Sequence, residues 1–248
     1  ASLEVQGNTA SVVSPEPLAL SGAGAAGTAG ALEMLNGGTG INTISGAILL
    51  QSHIDVSVDN GQLVLNGVIS GLYGITKVTD SSTLSLYTAV NTFLGDVEVQ
   101  GGVLDTNVAG SLGSMLGHVT VDDGTTLNVA GTIVGKNLTL TGQGSSPLVA
   151  TYYLPRGALI ATGTTNWSGA ITIGGGNVNE PGFSSTAVAI SSSATLTITG
   201  IVSGDADLLK VGSATVVFSN TVTLSGAANS ILVGAGVIIY EATHQLVA

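Results

Sequence analysis

The chain has 248 residues, enough for a substantial core in one large domain or two ordinary ones, and a net charge of -11 set by 15 acids against only four Lys and Arg. So few cations cannot track a phosphate backbone or an anionic bilayer, which argues against nucleic acid and membrane headgroups as partners. With 44% hydrophobic residues, 8% charged residues and 37 Gly, the composition is the reverse of a disordered chain.

The mean hydropathy of +0.55 is high, yet no run reaches the roughly 18 to 20 apolar residues of a transmembrane helix. The longest, "ILVGAGVIIY" (Ile231–Tyr240), is about half that length. The chain opens at Ala1 without Met or a signal peptide, inside a strand-like run, and reads as a processed or excised piece of a longer product. The lack of Cys fits a secreted protein that crosses a membrane unfolded, although many cytosolic chains share it.

Along the chain, helical periodicity is nearly absent and short strands follow one another. The first is "SLEVQG" (Ser2–Gly7), then "LALSGAG" (Leu18–Gly24), "QLVLNG" (Gln62–Gly67), "STLSL" (Ser82–Leu86) and "DVEVQGG" (Asp96–Gly102). The second half continues with "HVTVDDG" (His118–Gly124), "TTLNVAG" (Thr125–Gly131), "NLTLTG" (Asn137–Gly142), "AITIGGG" (Ala170–Gly176) and "ATLTITG" (Ala194–Gly200). Most alternate apolar and polar for about five residues and stop at Gly, Asn or Asp, so each puts one face inward.

Several phrases occur twice in the same order. "LALSGAG" matches "LTLTGQG" (Leu138–Gly144), "ISGAI" (Ile44–Ile48) matches "WSGAI" (Trp167–Ile171), and "NGVISGLYGITKV" (Asn66–Val78) matches "TGIVSGDADLLKV" (Thr199–Val211). The spacing wanders by a few residues, as a tandem duplication with loop insertions would. Two copies, about 18–137 and 138–248, would then build a single continuous solenoid over 1–248. Without helices to make crossovers, stacked coils imply an all-β, parallel β-helix (β-solenoid). The alternative is an antiparallel β-sandwich or barrel built from hairpins such as "VDNGQL" (Val58–Leu63). Coils of roughly 20 to 25 residues give about ten to twelve turns and, at about 4.8 Å each, a rod roughly 50 Å long.

"GITKVTDSSTLSLYTAVNTFLGDVEVQGGVL" (Gly74–Leu104) resembles the autotransporter-associated β-strand repeat. That repeat opens on Leu-Thr-Lys, passes through Gly-Thr-Leu-Thr-Leu and Asn-Thr-Tyr, and closes on Val-x-x-Gly-x-Leu. Ile75, Thr76, Lys77, Thr83, Leu84, Leu86, Asn91, Thr92, Phe93, Val99, Gly102 and Leu104 fill those places. The second copy fits at Lys210 and Gly212, then departs where Val222 follows Asn220 and Thr221. The resemblance implies a right-handed β-solenoid in a bacterial surface or secreted passenger, serving as stalk, adhesin or fibre. It is nearly silent on activity.

Other motifs favour bland readings. "LSGAGAAG" (Leu20–Gly27) spells G-x-G-x-x-G, but no helix follows, so a solenoid corner is expected. "GTIVGKN" (Gly131–Asn137) is one residue short of a P-loop and reads as a turn. "VDDGTT" (Val121–Thr126) pairs Asp122 and Asp123 at a turn, where a solvated corner outweighs a Ca²⁺ site. Asp55 with Asp59, or Asp96 with Glu98, have glycosidase-like proximity, but such pairs arise by chance among 15 acids. His53, His118 and His244 share no metal-ligand spacing, there is no G-x-S-x-G elbow, and Trp167 matches Ile44 as a core residue. Asn137 and Asn166 head glycosylation sequons, which a bacterial chain leaves idle. No enzyme activity, cofactor or metal is expected, and a polysaccharide lyase is disfavoured by the single Arg156.

Lys77 and Lys210 are expected at the surface, paired with an acid such as Asp80 or Asp207 or blunting a sheet edge, at a cost of at most about 1 kcal/mol if replaced by Met. Neither end of the chain looks like a charged cap. Head-to-tail self-association through Leu3, Val5, Ile238, Leu246 and Val247 would yield a filament. The expected function is a non-enzymatic structural segment of an extracellular bacterial fibre or surface adhesin. A glycan- or receptor-binding adhesin module is the alternative, against which one Trp, five Tyr and three Phe are thinly scattered.

Overall fold

A computed structural model describes residues 1–6, 13–35, 40–78, 82–88, 90–106, 108–145, 148–149, 152–153, 157–175, 187–225 and 231–241. The chain divides into two compact units, Ala1–His118 and Val119–Ala248. Among the described residues every regular element is a β-strand and none is an α-helix.

In the first unit each coil makes three straight runs. The first run stacks Leu18–Gly22, the start of Ile48–Val58, and Ile69–Gly71. The second stacks Leu3–Val5, Leu32–Met34, the end of Ile48–Val58, Ile75–Val78 and Val97–Val99. The third stacks Val13–Ser14, Ile41–Ile44, Gln62–Leu65, Thr83–Leu86 and Val103–Thr106. All these pairs are parallel, so like residues fall into columns. Leu32, Val56, Lys77 and Val99 form one inward column. Strands of three or four residues are too short to stand alone, and stacking supplies the cover that each coil lacks.

The second unit repeats the plan. Its first run stacks Val119–Val121, Leu138–Thr141, Ile171–Gly174, Val202–Gly204 and Val222–Leu224. The second run follows 126–130, 159–162, Ala187–Ser192, Asp207–Val211 and Ile231–Val233. The third follows 131–133, 165–167, Thr195–Ile198, Thr215–Phe218 and Val237–Tyr240. Trp167 lies fully buried in the inward column Trp167, Ile198, Phe218, Tyr240, where the last two rings stack 5.4 Å apart. The repeated phrases recur in the same order along the chain, but Lys77 lies in a strand of the twelve-stranded sheet and Lys210 in a strand of the thirteen-stranded one.

The antiparallel alternative is excluded. Val58 ends one strand and Gln62 begins another in a different sheet, so "VDNGQL" is a corner and not a hairpin. The one antiparallel pair among the described strands is Leu148–Val149 with Tyr152–Tyr153. Side-chain hydrogen bonds between coils join residues 20 to 22 apart through much of the first unit and 21 or 22 apart late in the second. Early in the second unit the separation is 30 to 35. The expected coil length therefore holds for the short coils and fails for the long ones.

Corners account for the glycines. Gly22, Gly24 and Gly27 of the G-x-G-x-x-G phrase all take positive φ, and the strand Leu32–Met34 follows them, not a helix. At Gly95 and Gly117 the coils approach so closely that a β-carbon would strike the backbone of the coil before.

The Asn-Thr-aromatic step of the repeat has a direct physical basis. Asn91 is buried. Its Oδ1 accepts from the Ile69 amide at 2.8 Å and its Nδ2 donates to the Ser111 carbonyl at 2.7 Å, so one side chain ties three successive coils. Thr92 continues the ladder through its backbone amide to Ile69, and Phe93 is fully buried beside Gly113. Asn220 does less: its Nδ2 reaches Thr199 of the preceding coil at 3.0 Å, and its Oδ1 holds only the adjacent Thr221 amide. Asn91→Ala should therefore cost about 2–4 kcal/mol, because two buried backbone groups lose their partner, and Asn220→Ala about 1 kcal/mol. Urea melts of the two variants check this. Equal losses would remove the three-coil role of Asn91.

Candidate functional site: open strand edges and buried lysines

The acids singled out in the sequence are separated by structural duties. Asp96 Oδ1 accepts from the His118 amide at 2.7 Å, while Glu98 Oε2 accepts from Thr76 Oγ1 at 3.4 Å. Thr76 also meets His53 Nε2 at 2.7 Å. Asp55, Thr76 and Glu98 share one outward column, with Asp59 exposed beyond the strand. Asp122 and Asp123 form the turn before Thr125, whose amide and hydroxyl both donate to the Asp122 carbonyl at 3.1 and 2.8 Å. Among the described residues no three His, Asp or Glu side chains converge as a metal site would require. His244 and Arg156 lie outside the described residues.

A second polar ladder crosses the third run. Gln62 Nε2 donates to Ser85 Oγ at 2.7 Å and to the Tyr87 hydroxyl at 3.3 Å, and Tyr87 donates to Asp105 Oδ2 at 2.8 Å. Burial, with the Asp105 carboxylate second, raises the Tyr87 phenol above its usual 10.0. A folded value above the unfolded one means that this stabilisation is complete below pH 10 and fades as pH rises through the folded value. The difference in urea midpoint between wild type and Tyr87→Phe should shrink on alkaline titration. A constant difference would detach the phenol from the ladder.

The lysines overturn the surface expectation. Lys77 and Lys210 are each 1% exposed, and Lys136, in the P-loop-like turn, is buried as well. Lys77 stands between Val56 and Val99, and Lys210 follows Ile190 in a column begun by Leu127 and Leu159. Lys210 Nζ donates to the carbonyls of Val211 at 2.8 Å, Gly212 at 2.6 Å and Ala235 at 3.2 Å. Three donors meet three corner carbonyls from two successive coils, and Asp207 is not among its partners. Burial pushes the Lys210 ammonium below its usual value of 10.5. Asp80 lies outside the described residues. Gly236 fits here for lack of a side chain, since a β-carbon would come within 2.8 Å of Nζ. The surface expectation failed because charge alone argued for solvent, whereas the corner carbonyls supply the polar partners that water would. Lys210→Met should cost about 2–4 kcal/mol through the carbonyls it orphans. A loss within about 1 kcal/mol in urea melts would return the residue to a surface-type role.

The open edges lie where the inward columns end. Leu3 pairs with the fully buried Leu32 and Val5 with the buried Met34, yet Leu3 is 37% exposed and Val5 half-buried. A cleft of about 320 Å³ lined by Ser2, Leu3, Leu18 and Leu20 opens at this edge of the first unit. In the second unit Ile238 follows the buried Val216, and Tyr240 follows the buried Phe218, but both are half-buried. Val233 is 52% exposed although its column mate Lys210 is 1% exposed. Among the described residues no strand pairs with the outer side of Leu3–Val5, Ile231–Val233 or Val237–Tyr240. Of the expected assembly residues, Leu3, Val5 and Ile238 thus end inward columns, while Leu246 and Val247 lie outside the described residues. Sequence reasoning missed Ile231, Val233 and Tyr240, although the alternation in "ILVGAGVIIY" carries the signal.

No family model matches the chain, and no solved structure matches it. A stretch of 87 residues, 35% of the chain, is 37% identical to the adhesin BmaC autotransporter of Brucella suis biovar 1 (strain 1330). The match spans 2% of that protein, so the chain corresponds to a small part of its length. The likeness agrees in kind with the autotransporter resemblance of Gly74–Leu104, and the parallel stacking of both units agrees with a passenger β-solenoid.

Proposed function

We propose that this chain is a non-enzymatic structural segment of an extracellular bacterial surface adhesin or fibre, and that copies join end to end by strand pairing. The coarse role rests on the likeness to a surface adhesin together with the coil architecture. The joining rests on one observation: the inward column buried at Val216 continues to the half-buried Ile238, at an edge with which no further strand pairs among the described residues. A parallel strand added there restores the missing backbone bonds and covers the apolar side chains. Leu3–Val5 of a second copy offers such a strand, and its own outer side has the same need. A joint between two different edges does not close on itself, so it propagates as a filament.

Sedimentation of residues 1–248 over a concentration series tests the joint. Growing species are expected for the wild type, and a monomer at every concentration for Ile238→Asp, which puts a charge at the open end of a core column. A wild type that stays monomeric throughout defeats end-to-end joining and leaves a segment that continues only within a longer chain. Antibody labelling of unpermeabilised source cells tests the surface location, which labelling confined to permeabilised cells would exclude.

A further inference from the structure

The outer face of the third run in the first unit carries a fixed aromatic ring. Leu63, Leu84 and Leu104 pair in register and are buried, so the alternate positions Val64, Ser85 and Asp105 face outward. Ser85 is nevertheless 0% exposed. Gln62 Nε2 donates to both Ser85 Oγ and the Tyr87 hydroxyl, and Ser85 also hydrogen-bonds that hydroxyl, so the phenol end of Tyr87 lies over Ser85 on the outside of the sheet. Tyr87 itself is half-buried. Gln62 belongs to the coil before it and Asp105 to the coil after it, and the two hold the hydroxyl from both sides. The other described rings differ. Phe93, Trp167 and Phe218 are buried, Tyr240 stacks on Phe218 at an open edge, and Tyr73 stands at a corner outside any strand.

We propose that Tyr87, with Gln62 and Asp105 at its rim, is a platform that binds one neutral sugar residue of a glycan. The inventory of donors and acceptors selects this ligand. Both Nε2 protons of Gln62 and the single hydroxyl proton of Tyr87 are already given away. What the rim offers is therefore acceptors: Gln62 Oε1, and an Asp105 carboxylate with about four lone-pair sites. A ligand must bring donors. It must also carry no negative charge, since the chain has a net charge of -11 and Asp105 stands at the rim. A sugar ring meets both needs. Its hydroxyls donate, and its polarised C–H face lies on the electron-rich face of an aromatic ring. A cation fits less well. The bond from the phenol holds Asp105 at the edge of the ring and not over its face, and one ring without further aromatic walls among the described residues attracts a cation weakly. The ring is set by its hydrogen bonds before a ligand arrives, so little rotamer freedom is lost on binding. Three coils at about 4.8 Å span roughly 10 Å, enough for one sugar ring with its hydroxyls. So shallow a platform binds weakly and reversibly.

The platform lies on a strand face and is independent of end-to-end joining. It is tested in the Ile238→Asp background, where the end joint is blocked, by amide chemical-shift titration with methyl β-D-galactoside, methyl β-D-glucoside and methyl α-D-mannoside. Saturable shifts are expected with at least one glycoside at Gln62, Ser85, Tyr87 and Asp105, and not at Tyr73. Added NaCl should leave the affinity unchanged, because the ligand is neutral. Tyr87→Leu, which removes the ring, should weaken binding at least tenfold. Tyr87→Phe, which keeps the ring, should weaken it less, and Asp105→Asn should weaken it severalfold. Asn220→Ala, which loosens the second unit without touching the platform, should leave the affinity as it was. No saturable shift with any of the three glycosides, shifts spread equally over Tyr73 and Tyr87, or an affinity indifferent to Tyr87→Leu overturns the proposal. The shift map of the Ile238→Asp protein decides the matter even where a platform variant fails to fold. Choline chloride that shifts the same amides, with an affinity that falls as NaCl rises while the glycosides shift nothing, would assign the ring to a cation instead. If end joining is wrong, the wild type stays monomeric as well and the titration reads the same.

Discussion

In stacked coils of this kind the backbone of each coil is satisfied by the coils on either side of it. A strand of three or four residues makes no hydrogen bonds within itself, so every N–H and C=O along a run is answered one coil away. Columns of like side chains follow, because a parallel register sets each residue over its counterpart. Corners follow as well, since three runs must turn three times per coil, and the turns demand glycine where φ is positive or where backbones nearly touch, as at Gly24 and Gly95.

Corners are where the ladder fails, and there the chain places its buried polar side chains. Asn91 supplies both an acceptor and a donor, replacing two ladder bonds that a bend would otherwise break. Lys210 supplies only donors, which suits a corner where carbonyls converge. Lys210 stands in a column otherwise filled by Leu, Ile and Val, so its polar head is used up locally and its stem packs as an apolar residue would. Polar residues inside this protein are therefore part of the stacking and not exceptions to it.

Strands with clean alternation were legible in the sequence, and the repeated phrases marked strands that recur in the same order in both units. The eight phrases quoted from Gln62 to Gly200 each contain a strand. Less legible was the strand Ile48–Val58, since Gln51-Ser52-His53 reads as a turn while the backbone stays extended around the corner. Burial of Lys77 and Lys210 was hidden because local sequence gives a lysine's charge and not the carbonyls that wait for it. The open edges at Leu3, Val5 and Ile238 were legible from apolar strands near both termini, but which neighbours share those edges depends on register.

The sequestration of the lysines bears on how such a fold meets proteases. Proteases that cut after basic residues need an extended, accessible segment around Lys or Arg. Lys77 and Lys210 lie within hydrogen-bonded strands, and Lys136 is buried at a corner. Among the described residues such an enzyme finds no substrate until a coil peels away. Reagents that attack amines meet the same barrier. Among the described residues, the burial of these lysines thus removes basic cleavage signals from the surface, and at Lys210 the same burial closes a corner.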